Sequence, residues 1–580
     1  MRILLVIKIL LLVLLAYQPA FAASTSVKNQ SAAYKEAVKI VESAIADQTD
    51  FLFLPKKLKI LPANIAELTN LKEISLSGTK ITDISVLKNL TNLKGINFTG
   101  TNISDISALK NLANLKELNF TDAKITDISA LKNLIGLENL DISGTKISDI
   151  SALKNLTRLE NLDLSGTKIS DISVLKNLTK LEYLRLADTD INNISALENL
   201  TKLYDLALTG TKISDISALK DLPNLRRLRF AGTKITDISA LKNLTKLVYL
   251  DLDGTKVADI SVLKNQIGLT ILNISNTEIT DISVVKNHPR LKLFFFSGTK
   301  ISDISVLEHL TKLEELFFSD TNVADISVLK KLTKLEELFL SNTDVTDISV
   351  LKKHTRLRKL EISNTNVTDI TALRKLINLY HLDLSDTKIS DISALQNLTK
   401  LNKLVLTRTK IRDISVLKNP DRLEFLYLSG TKITDLSALE NLTRLVYLSV
   451  SNTKITDISA LKKHAKLKFL YLSNSKITDI SVLQNLARLR NLFLTGTDVA
   501  DISALKKHTS LRYLYLSGTK VNDISVLKKM TRLVKLRLAG TNVTDVSVLK
   551  KHTRLRELDI SNTNVTDITA LEKLNVKIKK

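Results

Sequence analysis

An α/β repeat solenoid, with short strands stacked into one parallel sheet and helical returns behind it, is the fold class this sequence predicts. Three observations carry that expectation. Leucine recurs every 22 residues, from Leu71, Leu93, Leu115 and Leu137 through Leu357, Leu445 and Leu533 to Leu555, twenty-three times without an insertion. Within each repeat the apolar spacing changes from two residues to three, so each holds a strand and then a helical turn. The 580-residue chain has only 15 Gly and 6 Pro, and no Gly-, Pro- or Ser-rich linker after its N-terminus divides it into the several domains its length would otherwise suggest. Hydrophobic residues make up 44% of the chain but aromatics only 4%, which leaves the core to Leu, Ile and Val.

Residues 1–22 read as an export signal. Met1-Arg2 precedes an apolar run from Ile3 to Ala16, interrupted by Lys8, and Pro19-Ala20-Phe21-Ala22 ends in the small-x-small pattern of a cleavage site. The run is shorter than the ~20 residues a helix needs to cross a bilayer. Cleavage after Ala22 is expected, giving a periplasmic or secreted product that does not span the membrane. With no cysteine in the chain, neither disulfides nor a lipid-modified cysteine contributes.

Residues 23–50 predict a capping helix with Tyr34, Val38, Val41 and Ile45 along one face, and residues 51–70 a degenerate first repeat built on Leu58, Ile60, Leu61, Ile65 and Leu68. The array proper covers residues 71–576. In its first repeat Ile74 and Leu76 alternate as on a strand with two unlike faces, whereas Ile84, Leu87 and Leu90 are three apart, as on a short helix or 3₁₀ turn. Alone such a repeat cannot bury its leucines; stacked copies pair their strands and close a continuous core. The basic end, residues 577–580, together with Val576, is expected to form a short edge whose lysines oppose association with other strands.

Two polar rows have structural explanations. Asp83 and its equivalents, Asp in every repeat except Asn193, sit two residues before Ser85 or its counterparts, where a carboxylate accepts from unpaired N–H groups at the start of a helical turn. A calcium ladder is the functional alternative, but the clustered Asp, Asn and Gly of a calcium loop are missing, so no metal site is expected. Thr79 heads the second row, kept as Thr except at Ala123 and Ser475, and its hydroxyl is expected to bond turn backbone and relay to the next coil.

The repeat running from Leu71 through Ile74, Leu76, Thr79, Ile81, Asp83, Ile84, Ser85 and Leu87 to Leu90-Thr91 resembles the 22-residue unit of bacterial internalin-type leucine-rich-repeat proteins, and the resemblance covers nearly all of the chain after residue 22. It implies a leucine-rich-repeat solenoid: a curved parallel sheet on the concave side, short helices or 3₁₀ turns on the convex side, and recognition of a protein partner on the concave sheet. Thr79 stands where that family usually has Asn, and Asp83-Ile84-Ser85 lacks the Pro that often follows. Fold by itself does not supply a function.

Counting from each leading Leu, the third and fifth residues should face solvent on the sheet. Early repeats place small, polar or charged residues there: Glu73 and Ser75, Asn139 and Asp141, Asn161 and Asp163, Arg227 and Arg229. Later ones carry Phe295, Phe317 and Phe339 at the fifth position of three consecutive repeats, then Phe425, Tyr427, Tyr447, Phe469, Tyr471, Phe493, Tyr513 and Tyr515. Half of the chain's 11 Tyr and 15 Phe fall at these two positions, so composition alone does not place them. Exposed rings of this kind anchor protein interfaces, and these eleven are the expected partner-binding residues. The structural alternative is that neighbouring rings stack and stabilise the sheet.

Net charge of +24 points more weakly to an anionic partner. Lysine rows begin at Lys80, Lys124 and Lys146 after the strands, and doubled lysines such as Lys352-Lys353 and Lys506-Lys507 lie on the returns. These are the basis for an alternative function, an envelope protein holding an anionic glycan or lipid; a solvated surface is the plainer reading, and nucleic acid is not expected without a recognised motif. No enzyme, catalytic residue or cofactor is indicated. Five of seven histidines, His288, His354, His464, His508 and His552, occupy the Leu90 position, which also accepts Gln266, Pro420 and Met530. A tolerant, partly exposed position is expected there rather than a metal site, because histidines two coils apart cannot share an ion.

Overall fold

In each coil from Leu71 to Leu555 the extended backbone is confined to three residues two places after the leading leucine, as in Glu73–Ser75, Glu117–Asn119 and Phe425–Tyr427. The middle residue of each points into the core and its neighbours point out, as the period-two pattern requires. The structure, a computed structural model, describes residues 31–418 and 422–580, so the export signal expected at residues 1–22 lies outside the described residues. It forms two compact units, one ending at Val257 and the other spanning Ala258–Lys580.

In the first unit ten parallel strands run from Phe51–Phe53 to Tyr249–Asp251. Register advances one repeat per strand, with Glu73 opposite Gly95 and Tyr249 opposite Arg227, and even the degenerate repeat keeps it by placing Phe51 opposite Glu73. The helix Ala32–Ala46 precedes them, its start closed by Ser31, whose side chain accepts from the Tyr34 amide. It packs against the turn Ala63–Glu67. The buried stripe is Ala37, Val41 and Ala44, with Tyr34, Val38 and Ile45 only half-buried. The expected face is therefore rotated about the shared Val41, because Ala37 and Ala44 let the helix approach the first coil more closely than Tyr34 and Ile45 would.

In the second unit fifteen parallel strands run from Ile271–Asn273 to Lys577–Lys579. Here too the register is one repeat per strand until the end, where Lys577 lies opposite Glu557 because the last coil is two residues shorter. Between strands the returns are 3₁₀ turns such as Ser85–Asn89 and Ser481–Asn485. The three-residue spacing decides this. Leu87 N–H donates to Ile84 O at 2.9 Å, Leu90 to Leu87 at 3.0 Å and Leu93 to Leu90 at 3.1 Å, so the apolar side chains eclipse along one buried face. Among the described residues no helix is long and apolar enough to cross a membrane.

The Asp row behaves as caps. Asp83 Oδ1 accepts from the Ser85 N–H at 2.8 Å, and Asn193 does the same for Ser195 at 2.8 Å. In Asp105, Asp171 and Asp501 the serine N–H, followed by its hydroxyl, holds the carboxyl below the usual range. The Thr row bonds turn backbone as expected but does not make the expected relay to the next coil. Thr79 Oγ1 donates to Leu76 O of its own coil at 2.7 Å, and Thr343 to Leu340 O at 2.7 Å, so the hydroxyl closes the turn after the strand rather than relaying to the next coil. That turn passes through positive φ one residue earlier, at Gly78 (φ 70) and at Asn342 (φ 56), which accounts for the Gly, Asn and Asp found there.

The histidines overturn a second expectation. His288, His354, His464, His508 and His552 are 0% exposed, in the core and not at a partly open surface. Geometry explains how an imidazole is admitted: Nε2 of His288 lies 3.0 Å from Leu263 O of the preceding coil, that of His354 3.0 Å from Leu329 O, and that of His552 3.1 Å from Leu527 O. The ring donates to a carbonyl that already accepts one backbone N–H of its own return, so the imidazole uses the oxygen's second lone pair.

Candidate protein-binding face

In-register parallel pairing puts the same repeat position of neighbouring coils side by side at about 4.8 Å, a spacing at which rings can touch. Phe295, Phe317 and Phe339 lie opposite one another and make one stack, with ring centroids 4.8 and 4.2 Å apart. Three strands then interrupt it with charge, Lys359–Glu361, His381–Asp383 and Lys403–Val405. Lys359 pairs with Glu337 at 2.7 Å and His381 approaches Glu361 at 3.4 Å. Burial first, and Asp383 second, push the Glu361 carboxyl up.

A second, longer run follows. Tyr427 meets Tyr447 at 4.4 Å, Tyr447 meets Tyr471 at 5.0 Å, Tyr471 meets Phe493 at 4.4 Å, and Phe493 meets Tyr515 at 4.4 Å. Tyr447 stands at the third position, not the fifth, and bridges a gap that Ser449 leaves between Tyr427 and Tyr471. Its phenol is pushed up, chiefly by burial and then by the neighbouring phenols of Tyr471 and Tyr427. Phe469 lies 6.1 Å from Tyr447, and half-buried Phe425 and Tyr513 flank the run at the third position. Cations stand at both ends, Lys403 Nζ 6.0 Å from the Tyr427 ring and the Arg537 guanidinium 4.6 Å from Tyr515.

The structure thus places the eleven expected residues, all half-buried, on the solvent side of one sheet and divides them into two groups. The first unit's face is different in kind. Asn119 donates to Asp141 at 3.5 Å, Asn161 donates to Asn139, and Arg227 reaches Asp205 at 3.4 Å while lying 5.1 Å from the Tyr249 ring, so its polar groups largely satisfy one another.

The lysine rows are partly paired across coils, as in Lys212 with Asp190 at 2.6 Å and Lys520 with Asp498 at 2.8 Å. Sequence reasoning missed a different basic feature, a groove of about 670 Å³ at the N-terminal edge of the second unit's strands, lined among others by Arg356, Arg422 and Arg444. The signal was present as Arg356, Lys400, Arg422 and Arg444 one residue before the leading leucine, around the shorter Asn378. Among the described residues no three His, Asp or Glu side chains are grouped to hold a metal.

The family described as leucine-rich repeats (2 copies) matches this chain at residues 69–111, 91–133, 135–177, 223–265, 311–353, 355–397, 377–419, 421–463, 509–551 and 531–573. No curated protein matches it in sequence. Among solved structures, an internalin from Listeria monocytogenes is 31% identical over 59% of this chain and 89% of its own, with a TM-score of 0.41. The plant peptide hormone receptor RGFR1 in complex with RGF2 is 19% identical over 91% of this chain and 96% of its own, with a TM-score of 0.56. The ectodomain of the receptor kinase GASSHO1/SCHENGEN3 from Arabidopsis thaliana is 17% identical over 91% and 80%, with a TM-score of 0.55. The two plant structures share the fold.

Proposed function

The chain belongs to the leucine-rich-repeat family, and from that premise we propose that it is an exported, non-enzymatic binding protein that docks another protein on the aromatic sheet face between residues 425 and 515. The observation that supports this most is the unbroken ring run from Tyr427 to Tyr515, half-buried and flanked by Lys403 and Arg537. Rings already ordered by their neighbours lose little freedom on binding, and tyrosine offers both apolar area and a hydroxyl. The Phe295–Phe339 stack extends the same sheet as a secondary contact. Export rests on residues 1–22, and the helix Ala32–Ala46 serves as the cap of the first coil.

To test the docking face, the full chain is used to capture and identify a partner from the extracellular fraction, and affinities are then measured with that partner purified. Changing Tyr427, Tyr471 and Tyr515 together to Ser removes no core residue. Truncated anchors of this kind contribute ~2 kcal/mol each, so the triple variant should bind at least about 100-fold more weakly. Replacing Lys352, Lys462 and Lys506 by Ser should leave the affinity nearly unchanged. If the Tyr variant keeps its partner while melting at a clearly lower temperature, the rings serve the sheet and not a ligand.

A further inference from the structure

We propose that the groove at the N-terminal edge of the second unit's strands binds an acidic glycan strand. This site is separate from the aromatic face and stands on its own observations. The residue just before each leading leucine has a structural task when it is Asn: Asn92, Asn114 and Asn224 donate to Thr69 O, Thr91 O and Thr201 O of the preceding coil at 2.8, 2.9 and 2.9 Å. Asn378 does the same to Thr355 O at 2.8 Å. Arg356, Arg422 and Arg444 occupy that position on either side of Asn378 and forgo the bond. Among the described residues none of the three lies within ion-pair distance of a carboxylate. Lys or Arg is the common residue at this position, and what sets this stretch apart from the other basic coils is the groove its unpaired arginines border.

The depression follows from side-chain length. Asn378 and Asn402 are short, the guanidinium groups rise on both sides, and about 670 Å³ is left between them, a volume typical of ligand sites. Five cations, Arg356, Arg358, Lys400, Arg422 and Arg444, face it against only two carboxylates, Glu336 and Glu424. Arg358 is drawn to Glu336 at 3.7 Å, and Lys400 donates to Asn378 Oδ1 at 2.6 Å. One aromatic ring, Tyr380, lines the groove and is 44% exposed.

This set of groups selects the ligand. Guanidinium forks bind carboxylate or sulfate in two-point fashion. The Asn amides suit hydroxyls, and a single flat ring suits the C–H face of one pyranose. A nucleic acid strand would call for successive rings to stack successive bases, and only one is present. The same edge continues with Lys466 and Arg488 on the following coils, so the cations form a track that a chain of repeating charge engages better than a single anion does.

The test uses the full chain and a uronate- and sulfate-bearing hexasaccharide cut from heparin, with binding measured by calorimetry at about 0.15 M salt. Arg356→Asn, Arg422→Asn and Arg444→Asn together restore the amide found elsewhere in the row, so the fold is kept. This variant should bind at least roughly tenfold more weakly. Tyr380→Ser should weaken binding about threefold or more, the disaccharide should bind less tightly than the hexasaccharide, and neutral dextran should not bind. Replacing Lys352, Lys462 and Lys506 by Asn removes equal charge elsewhere and should change affinity less than about threefold. Equal losses from the Arg and Lys variants would reduce the effect to diffuse charge and overturn the site. Tighter binding of a single-stranded oligonucleotide or an acidic peptide of matched charge, indifferent to Tyr380→Ser, would overturn the glycan. No hexasaccharide binding at all would overturn both.

Discussion

Acidification should unfold the second unit through its five buried imidazoles. His288, His354, His464, His508 and His552 are enclosed in the core, and burial is the main cause holding each below the usual histidine range. The unfolded chain titrates them near about 6.5. A base whose folded-state pKa is depressed contributes full stability above the unfolded value, and stability is lost as pH falls below it, until each folded pKa is reached. For every ring neutral in the fold and charged in the unfolded chain, the slope is about 1.4 kcal/mol per pH unit. Five such rings unfolding together give about 7 kcal/mol per unit, comparable to the whole stability of a typical domain. The Asp caps lose their contribution only near and below the ordinary carboxylate range, about pH 4 and lower, so the two effects occupy separate windows. Urea melts from about pH 8 to 5, compared between the wild type and His464→Leu/His508→Leu, measure the effect. At these two sites neither ring nitrogen has a hydrogen-bond partner in the structure, and Leu486 shows that leucine fits the same position in the coil between them. The double variant should be stabilised at neutral pH by about 1–3 kcal/mol per site, and its pH slope should fall by about two-fifths. An unchanged slope, or loss of structure only near pH 4, would refute the reasoning.

Asp479→Ala should cost about 1 kcal/mol by leaving the Ser481 N–H without its 2.7 Å acceptor, whereas Asp479→Asn should be nearly neutral, because Asn193 Oδ1 accepts the same bond in its own coil; thermal melts of both variants check the difference. Deleting residues 24–50 removes Ala37, Val41 and Ala44 from the first coil and should expose its core and promote aggregation, to be followed by light scattering; a monomeric product with unchanged melting would show that the helix is not a cap.

The stacking frame was legible because it repeats: Leu, Ile and Val at fixed offsets fix the strand face and the three-residue step of the return. The Asp caps were legible for a similar reason, since Asn193 is a substitution that keeps the acceptor oxygen. What was not legible depends on three-dimensional opportunity. Polarity suggested exposure for the histidines, but a carbonyl of the preceding coil lies within reach of three of them, a contact between residues 25 apart that no local pattern reveals. Tyr447 was grouped with the third-position residues, yet Ser449 lets its ring close the fifth-position row. The arginine groove was hidden for a different reason. Lys or Arg fills the position before the leading leucine in most coils, so the row looks like a solvated basic edge until the structure shows a groove between Arg356 and Arg444.

In this fold the core positions are committed by stacking, so specificity must be carried by the residues just before the leading leucine and by the second, third and fifth residues of each repeat, counted with that leucine as the first. The aromatic face and the basic groove use different members of that set but share strands. Asn402 lines the groove while its neighbour Lys403 stands over Tyr427, and Glu424 lines the groove while Phe425 flanks the ring run. A variant made at one surface therefore risks disturbing the other, and mutation alone separates them poorly. Salt separates them better. Binding between unlike charges at an exposed groove weakens steeply as the Debye length falls from about 10 Å at 0.1 M to about 3 Å at 1 M, whereas burial of ring surface is little affected or strengthened. A ligand released across that range belongs to the arginines, and one retained belongs to the tyrosines.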